Sequence, residues 1–120
     1  MTQSIDRFIV AQKQYYEKAL SEVIKGKKET CWMWFIFPQL KGLGCSETSI
    51  YYGLNGVKET KLYWCNEYLR NNLLEITKEV FLHHTDFGYI DTVKLLSCME
   101  LFYKVSKNEI FKKVYNMYKE

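Results

Sequence analysis

A single proline, Pro38, interrupts this chain of 120 residues, and almost everywhere else the apolar residues recur at intervals of three and four. Proline is the strongest helix breaker, so its near absence, joined to a 3.6-residue period, leaves the α-helix as the regular structure most of the chain can adopt. Ile5, Phe8, Ile9, Tyr16, Ala19, Leu20 and Val23 fall on one stripe, and Gly26 is placed to stop that helix. Leu69, Leu73, Ile76 and Val80 form a second stripe, and Leu95, Cys98, Met99, Phe102 and Val105 a third. Ile110, Phe111, Val114 and Tyr118 give a fourth. The expected fold class is all-α, a single compact multihelical domain over residues 1–120.

The segment 31–40, CWMWFIFPQL, is apolar without a period. A short buried helix ended by Pro38 is expected there, because no second strand-like run exists to pair with it. Residues 41–46, KGLGCS, read as a loop in which Ser46 caps a short helix through Tyr52, with Glu47 in its first turn. After the turn signal Asn55-Gly56, helices are predicted over 57–65 and 67–84, broken near Asn66. A loop follows around Thr85 to Tyr89, and Ser106 with Glu109 reads as a capping box for the last helix.

Composition narrows the function classes. At 48% hydrophobic and 17% aromatic residues the chain is outside the disordered class. No apolar run approaches the ~20 residues of a membrane span, and the start MTQSIDRFIV lacks a secretory pattern, so a cytoplasmic domain is expected. The net charge is +3, and Arg7 and Arg70 are the only arginines, which argues against duplex nucleic acid as a partner. The run Lys25, Lys27, Lys28 reads as solvated surface. Cys31, Cys45, Cys65 and Cys98 contain no C-x-x-C pair, and His83 and His84, adjacent on a helix, diverge by about 100°; neither metal nor cofactor is expected.

Three features can carry chemistry. Trp32, Trp34, Phe35 and Phe37 crowd into six residues, followed by Tyr51 and Tyr52. Most such rings serve a core, but Trp34 and Tyr52 are the preferred exceptions, since each has a polar group needing a partner. The turn Gly42-Leu43-Gly44-Cys45-Ser46 leads into a helix and can present N–H groups to an anion. It lacks the G-K-[ST] ending of a P-loop, and Glu47 puts a negative charge nearby, so alone it reads as a turn and cap. Asp91, Lys94 and Ser97 share one helix ridge, suited to a polar ligand or proton transfer but equally to a surface pair. Gln12, in the middle of the first apolar stripe, must find partners in the core or on a ligand.

In order, these segments resemble a bacterial family of unknown function often mislabelled "calpastatin". The match rests on Arg7-Phe8, Ala11-Gln12, Gly26 and Lys28, then Trp32 through Leu40, Gly42 to Gly44, Ser46 and Tyr52. It continues through Phe87-Gly88, Asp91, Lys94, Ser97, Met99, Leu101 and Phe102. The string WMWFIFPQLKGLG is its most specific part. The resemblance implies an all-α fold of about six or seven helices and brings no established activity. Two departures stand out: Cys31 replaces a His the family usually has, and the chain ends at Glu120, short of a further Gly- and Asp-containing segment.

Because the family's pattern falls on polar residues among aromatics, one shared pocket is expected. Its Trp- and Asp-bearing helices are loosely similar to those of helical YbiA-like families that handle ADP-ribose derivatives, an analogy at the level of fold. The expected function is binding of a nucleotide-derived small molecule of ADP-ribose or cyclic-nucleotide type. Trp34 and Tyr52 would stack on the base, the 42–46 loop and Lys94 would hold phosphate, and Gln12, Gln39 and Asp91 would bond hydroxyls or base edges. Phe37, Gly42, Gly44, Ser46 and Ser97 complete the expected lining. A chain rich in Lys, Asn and Tyr suits a phage or an AT-rich bacterium, where sequestering an immune signal is the expected role. The rival readings are a hydrolase of ADP-ribose-like substrates with Asp91 as base, and an interaction module that docks a partner protein or a second copy of itself.

Overall fold

Gly26 closes the first helix in the left-handed conformation (φ 94°), its N–H reaching the Glu22 and Val23 carbonyls. In the computed structural model, which describes residues 4–42 and 44–119, that helix is α1 (Asp6–Lys25). It is followed by α2 (Met33–Ile36), α3 (Glu47–Tyr52), α4 (Gly56–Cys65), α5 (Glu67–His83), α6 (Gly88–Ser106) and α7 (Glu109–Tyr118). The fold is all-α, and the described residues contain no strand, only two isolated bridges.

Each apolar stripe turns toward a common centre. α1 packs on α5, α6 on α7, and α5 on α7, with α4 set against α6. Phe8, Phe37, Tyr63, Phe102 and Phe111 are fully buried, and their rings meet edge-on or tilted, as ring quadrupoles favour. Phe8 and Tyr63 stand 5.2 Å apart at 82°, and Phe37 and Phe87 5.9 Å apart at 84°.

The two bridges fix the loops. Lys28 N–H donates to Asp86 O (2.9 Å) and Asp86 N–H to Gly26 O (2.8 Å), tying the end of α1 to the entry of α6. Lys41 N–H donates to Leu54 O (2.9 Å) and Leu54 N–H to Gln39 O (2.8 Å), tying the segment after Pro38 to the α3–α4 turn. Leu43, in the middle of the Gly-Leu-Gly turn, lies outside the described residues.

Apart from α4, which begins one residue before its expected start at 57, three boundaries differ from expectation. α5 ends one residue early, at left-handed His84 (φ 48°). α6 starts inside the expected 85–89 loop, because the Asp86 carboxylate accepts the Gly88 N–H (2.9 Å). Ser106 does not cap α7: its hydroxyl donates to Phe102 O (2.6 Å) and accepts from Asn108 N–H (3.0 Å), which finishes α6. Asn108 is the cap, accepting the Ile110 N–H at 3.1 Å.

Candidate functional site

The site is built from a buried acid outward. Glu22, on the inner face of α1 near its end, is only 6% exposed. Its carboxylate accepts the N–H groups of Glu29 (2.7 Å) and Thr30 (3.0 Å), the Thr30 hydroxyl (2.6 Å) and the Trp32 indole N–H (2.9 Å). Burial favours the protonated acid, but these donors outweigh it and lower the pKa from 4.5 to about 2. One ionised side chain thereby shapes the 29–32 loop and sets the orientation of Trp32.

That loop carries Lys28 inward. Its ammonium donates to Thr30 O (2.6 Å), stands 5.0 Å from the Trp32 ring centre and pairs with Asp91 Oδ2 at 2.7 Å. On α6, one turn after Asp91, Lys94 donates to Asp91 Oδ1 (3.2 Å) and sits 4.4 Å from the Trp34 ring centre. Desolvation raises the Asp91 pKa, yet the two ammonium groups hold it below the ordinary carboxylate value. Asp91 is therefore a fixed anion flanked by cations.

These groups line a cleft of about 370 Å³ with Trp34 as its half-buried aromatic wall. Trp32 contributes while only 2% exposed. Ser46 and Thr48 line the cleft as well, and Ser46 also caps α3 by accepting the Ser49 N–H at 3.2 Å. The turn before α3 presses on the indole: a Cβ on Gly44 would lie 3.3 Å from Trp34 Cη2 and 3.1 Å from Ser49 Oγ. Cys31 lines the cleft as well. A flat ring, two ammonium groups, a carboxylate and hydroxyls together suit a planar, anionic, hydroxyl-bearing ligand.

Of the expected site residues, Trp34, Ser46, Asp91 and Lys94 meet in this cleft, with Gly44 directly behind Trp34. Tyr52 lies elsewhere, its ring packed on Phe8 (5.8 Å) and Phe35 (5.2 Å) and bordering a separate depression beside Arg7. Gln12 is an internal hub: its amide donates to Phe35 O (2.8 Å) and the Tyr63 hydroxyl (2.9 Å) and accepts from Asn72 (3.0 Å). Phe37 is core. Gln39 is 2% exposed, its amide nitrogen on Phe37 O at 3.3 Å, and it lines neither cleft. Gly42 and Ser97 line a second cleft further along α6. The single pocket expected from the sequence is thus divided.

Three participants did not stand out in the sequence. Lys28, read as solvated surface, has a side chain only 9% exposed. Thr48 carries no signal beyond its neighbourhood, whereas Trp32 belongs to the aromatic cluster. The signal at Glu22 is a carboxylate on the inner face of α1 beside Val23, which demands several donors. Among the described residues no group of three or more His, Cys, Asp or Glu side chains could hold a metal ion, and no helix is long and apolar enough to cross a membrane.

Fold and site define a small all-α protein with a lysine-bordered aromatic cleft on its surface. The chain belongs to the family described as "Protein of unknown function (DUF1810)", whose model matches residues 2–120. It is similar to the crystal structure of the conserved hypothetical protein Rv1873 from Mycobacterium tuberculosis, with 34% identity over 93% of this chain and 84% of that one and a TM-score of 0.89. No curated protein matches.

Proposed function

We propose that the protein is a binding protein for a nucleotide-derived small molecule, held at the Trp34 cleft without turnover. The observation that carries this reading is the Lys28–Asp91–Lys94 array set against Trp34 and Trp32. The Lys94 ammonium already lies over the Trp34 ring, the geometry by which an indole face takes a cation. A ligand base that slides onto that face displaces the ammonium toward its own phosphate, so stacking and charge pairing form together. Asp91, with lone pairs left after two lysine contacts, accepts ribose hydroxyls.

Binding suits this site better than hydrolysis. A general base works best with a pKa near the operating pH, whereas the two lysines pull Asp91 further below it. Capture without turnover would make the protein a sink for a nucleotide signal, the sequestration role that the composition suggested.

Thermal denaturation with AMP, ADP-ribose and cyclic dinucleotides, followed by chromatography of each mixture, tests the reading. At 100 times Kd a ligand stabilises by about 2.7 kcal/mol, a rise of several degrees or more in a domain this size. A rise with the ligand recovered intact, lost in Lys28→Ala/Lys94→Ala with the helical content retained, is expected. Recovery of a product would replace binding by catalysis, and absence of any shift would remove the nucleotide reading.

A further inference from the structure

The second cleft, about 390 Å³, takes its α6 residues from the part of that helix that follows Asp91 and Lys94. It is lined by Lys41, Gly42, Ser97, Glu100, Leu101 and Lys104. Residues three apart are neighbours on a helix surface, so Lys94 of the first cleft is followed along α6 by Ser97 of the second. The connection before α3 flanks both, giving Gly42 to one and Ser46 to the other. The two linings match in kind, each with two lysines, one carboxylate and a serine.

They differ in how the charges are engaged. In the first cleft both lysines are committed to Asp91 and to indole faces. In the second, Lys41, Lys104 and Glu100 form no ion pair among the described residues. An anion entering the first cleft competes with Asp91, whereas one entering the second meets two uncommitted ammonium groups. From Lys94 to Lys104 the helix advances roughly 15 Å. A mononucleotide seated on Trp34 does not cover that distance, but an extended molecule with two heads joined by a pyrophosphate does.

We infer that the two clefts are halves of one groove for a two-headed nucleotide, its base on Trp34 and its distal phosphate or ribose between Lys41, Ser97 and Lys104. This rests on the nucleotide reading of the first cleft and adds to it a ligand class and a second contact region. Glu100 then serves the distal sugar as Asp91 serves the proximal one, by accepting hydroxyl donors.

Titration calorimetry with AMP and ADP-ribose as probes separates the two ideas. Wild type is expected to bind ADP-ribose at least tenfold more tightly than AMP. Lys41→Ala/Lys104→Ala, both exposed positions, is expected to erase that difference by weakening ADP-ribose about tenfold while leaving AMP unchanged. Equal affinity of wild type for the two probes, or equal weakening of both in the double variant, overturns the bipartite groove and leaves the first-cleft reading standing. Loss of ADP-ribose binding in the double variant but not in Lys94→Ala places the ligand in the second cleft alone and overturns it too. Failure of wild type to bind either probe removes the nucleotide reading itself, and this inference with it.

Discussion

Gln12 shows what one buried amide does in this molecule. It touches Phe35, Tyr63 and Asn72, so it joins α1 to α2, α4 and α5 at one point. Replacing it by Leu keeps the volume and strands the Phe35 carbonyl and the Tyr63 hydroxyl, at a cost of about 1–3 kcal/mol for each group left buried and unpaired. Urea denaturation of Gln12→Leu should therefore show a clear loss of stability, with AMP affinity of the folded fraction unchanged. A drop in affinity without loss of stability would mean the amide reaches the ligand after all. The sequence carried half of this: an amide within an apolar stripe must have partners. Whether they are core or ligand depends on residues 23 to 60 positions away, which local pattern does not encode. Gly44 makes a complementary case. Its added Cβ would press on Trp34 and Ser49, so Gly44→Ala should shift the tryptophan fluorescence and weaken ADP-ribose several-fold, while urea unfolding moves by less than about 1 kcal/mol. Unchanged fluorescence and affinity would show that Trp34 is not held by this turn.

At the scale of elements, the start of α1 is clamped to the α3–α4 region by a buried ion pair. Arg7 is 6% exposed and Glu59 8%; the guanidinium meets Glu59 Oε2 at 2.9 Å and Oε1 at 3.1 Å. Arg7 also donates to the Tyr51 (2.7 Å) and Gly53 (3.0 Å) carbonyls, and Glu59 accepts the Asn55 N–H at 2.7 Å. Removing one partner leaves a buried charge, which costs about 3–5 kcal/mol, whereas replacing both with apolar side chains costs far less. Arg7→Met should lower the denaturation midpoint sharply, and Arg7→Met/Glu59→Leu should recover most of the loss; a double variant as unstable as the sum of both singles would refute the pairing argument. The helices themselves were legible, because a 3.6-residue period is a local property that packing then uses. The clamps and stitches were not. Arg7 with Glu59, Lys28 with Asp86 and Lys41 with Leu54 join residues distant in sequence, and they decide that Lys28 arrives beside Asp91 while Gly42 and Ser97 are carried to a second cleft. Ser106 is not the cap of α7 because it is still the last residue of α6, where its hydroxyl donates to Phe102 O and its oxygen is taken by the Asn108 N–H.

For the molecule as a whole, the buried carboxylates set a common response to acid. Glu22, Glu59 and Asp91 are each desolvated, which alone would raise their pKa values, and each is nevertheless held low by its donors or cations. In such a group the unfolded chain takes up protons before the native one does, so stability rises with pH across the interval between the two values. For Glu22 that interval runs from 4.5 down to about 2. Its contribution, on the order of 3 kcal/mol, is fully present above about pH 5 and is lost progressively below it. Urea midpoints should be nearly constant from pH 7 to 5.5 and fall steadily between pH 4.5 and 2.5. Glu22→Gln should be less stable at neutral pH and should lose less on acidification; an identical pH slope in variant and wild type would show that Glu22 is not the acid-sensitive post. The same shift has an opposite consequence for the site. At pH 4 native Glu22 is still ionised, so it still holds Thr30 and the Trp32 indole. ADP-ribose, whose pyrophosphate stays ionised at that pH, should bind the folded protein nearly as well at pH 4 as at pH 7, even though the margin against unfolding has shrunk. Calorimetry at both pH values, on samples shown by circular dichroism to be folded, checks this, and a large loss of affinity at pH 4 would place a group that titrates there, a carboxylate of ordinary pKa or the adenine ring of the probe itself, in the binding contacts.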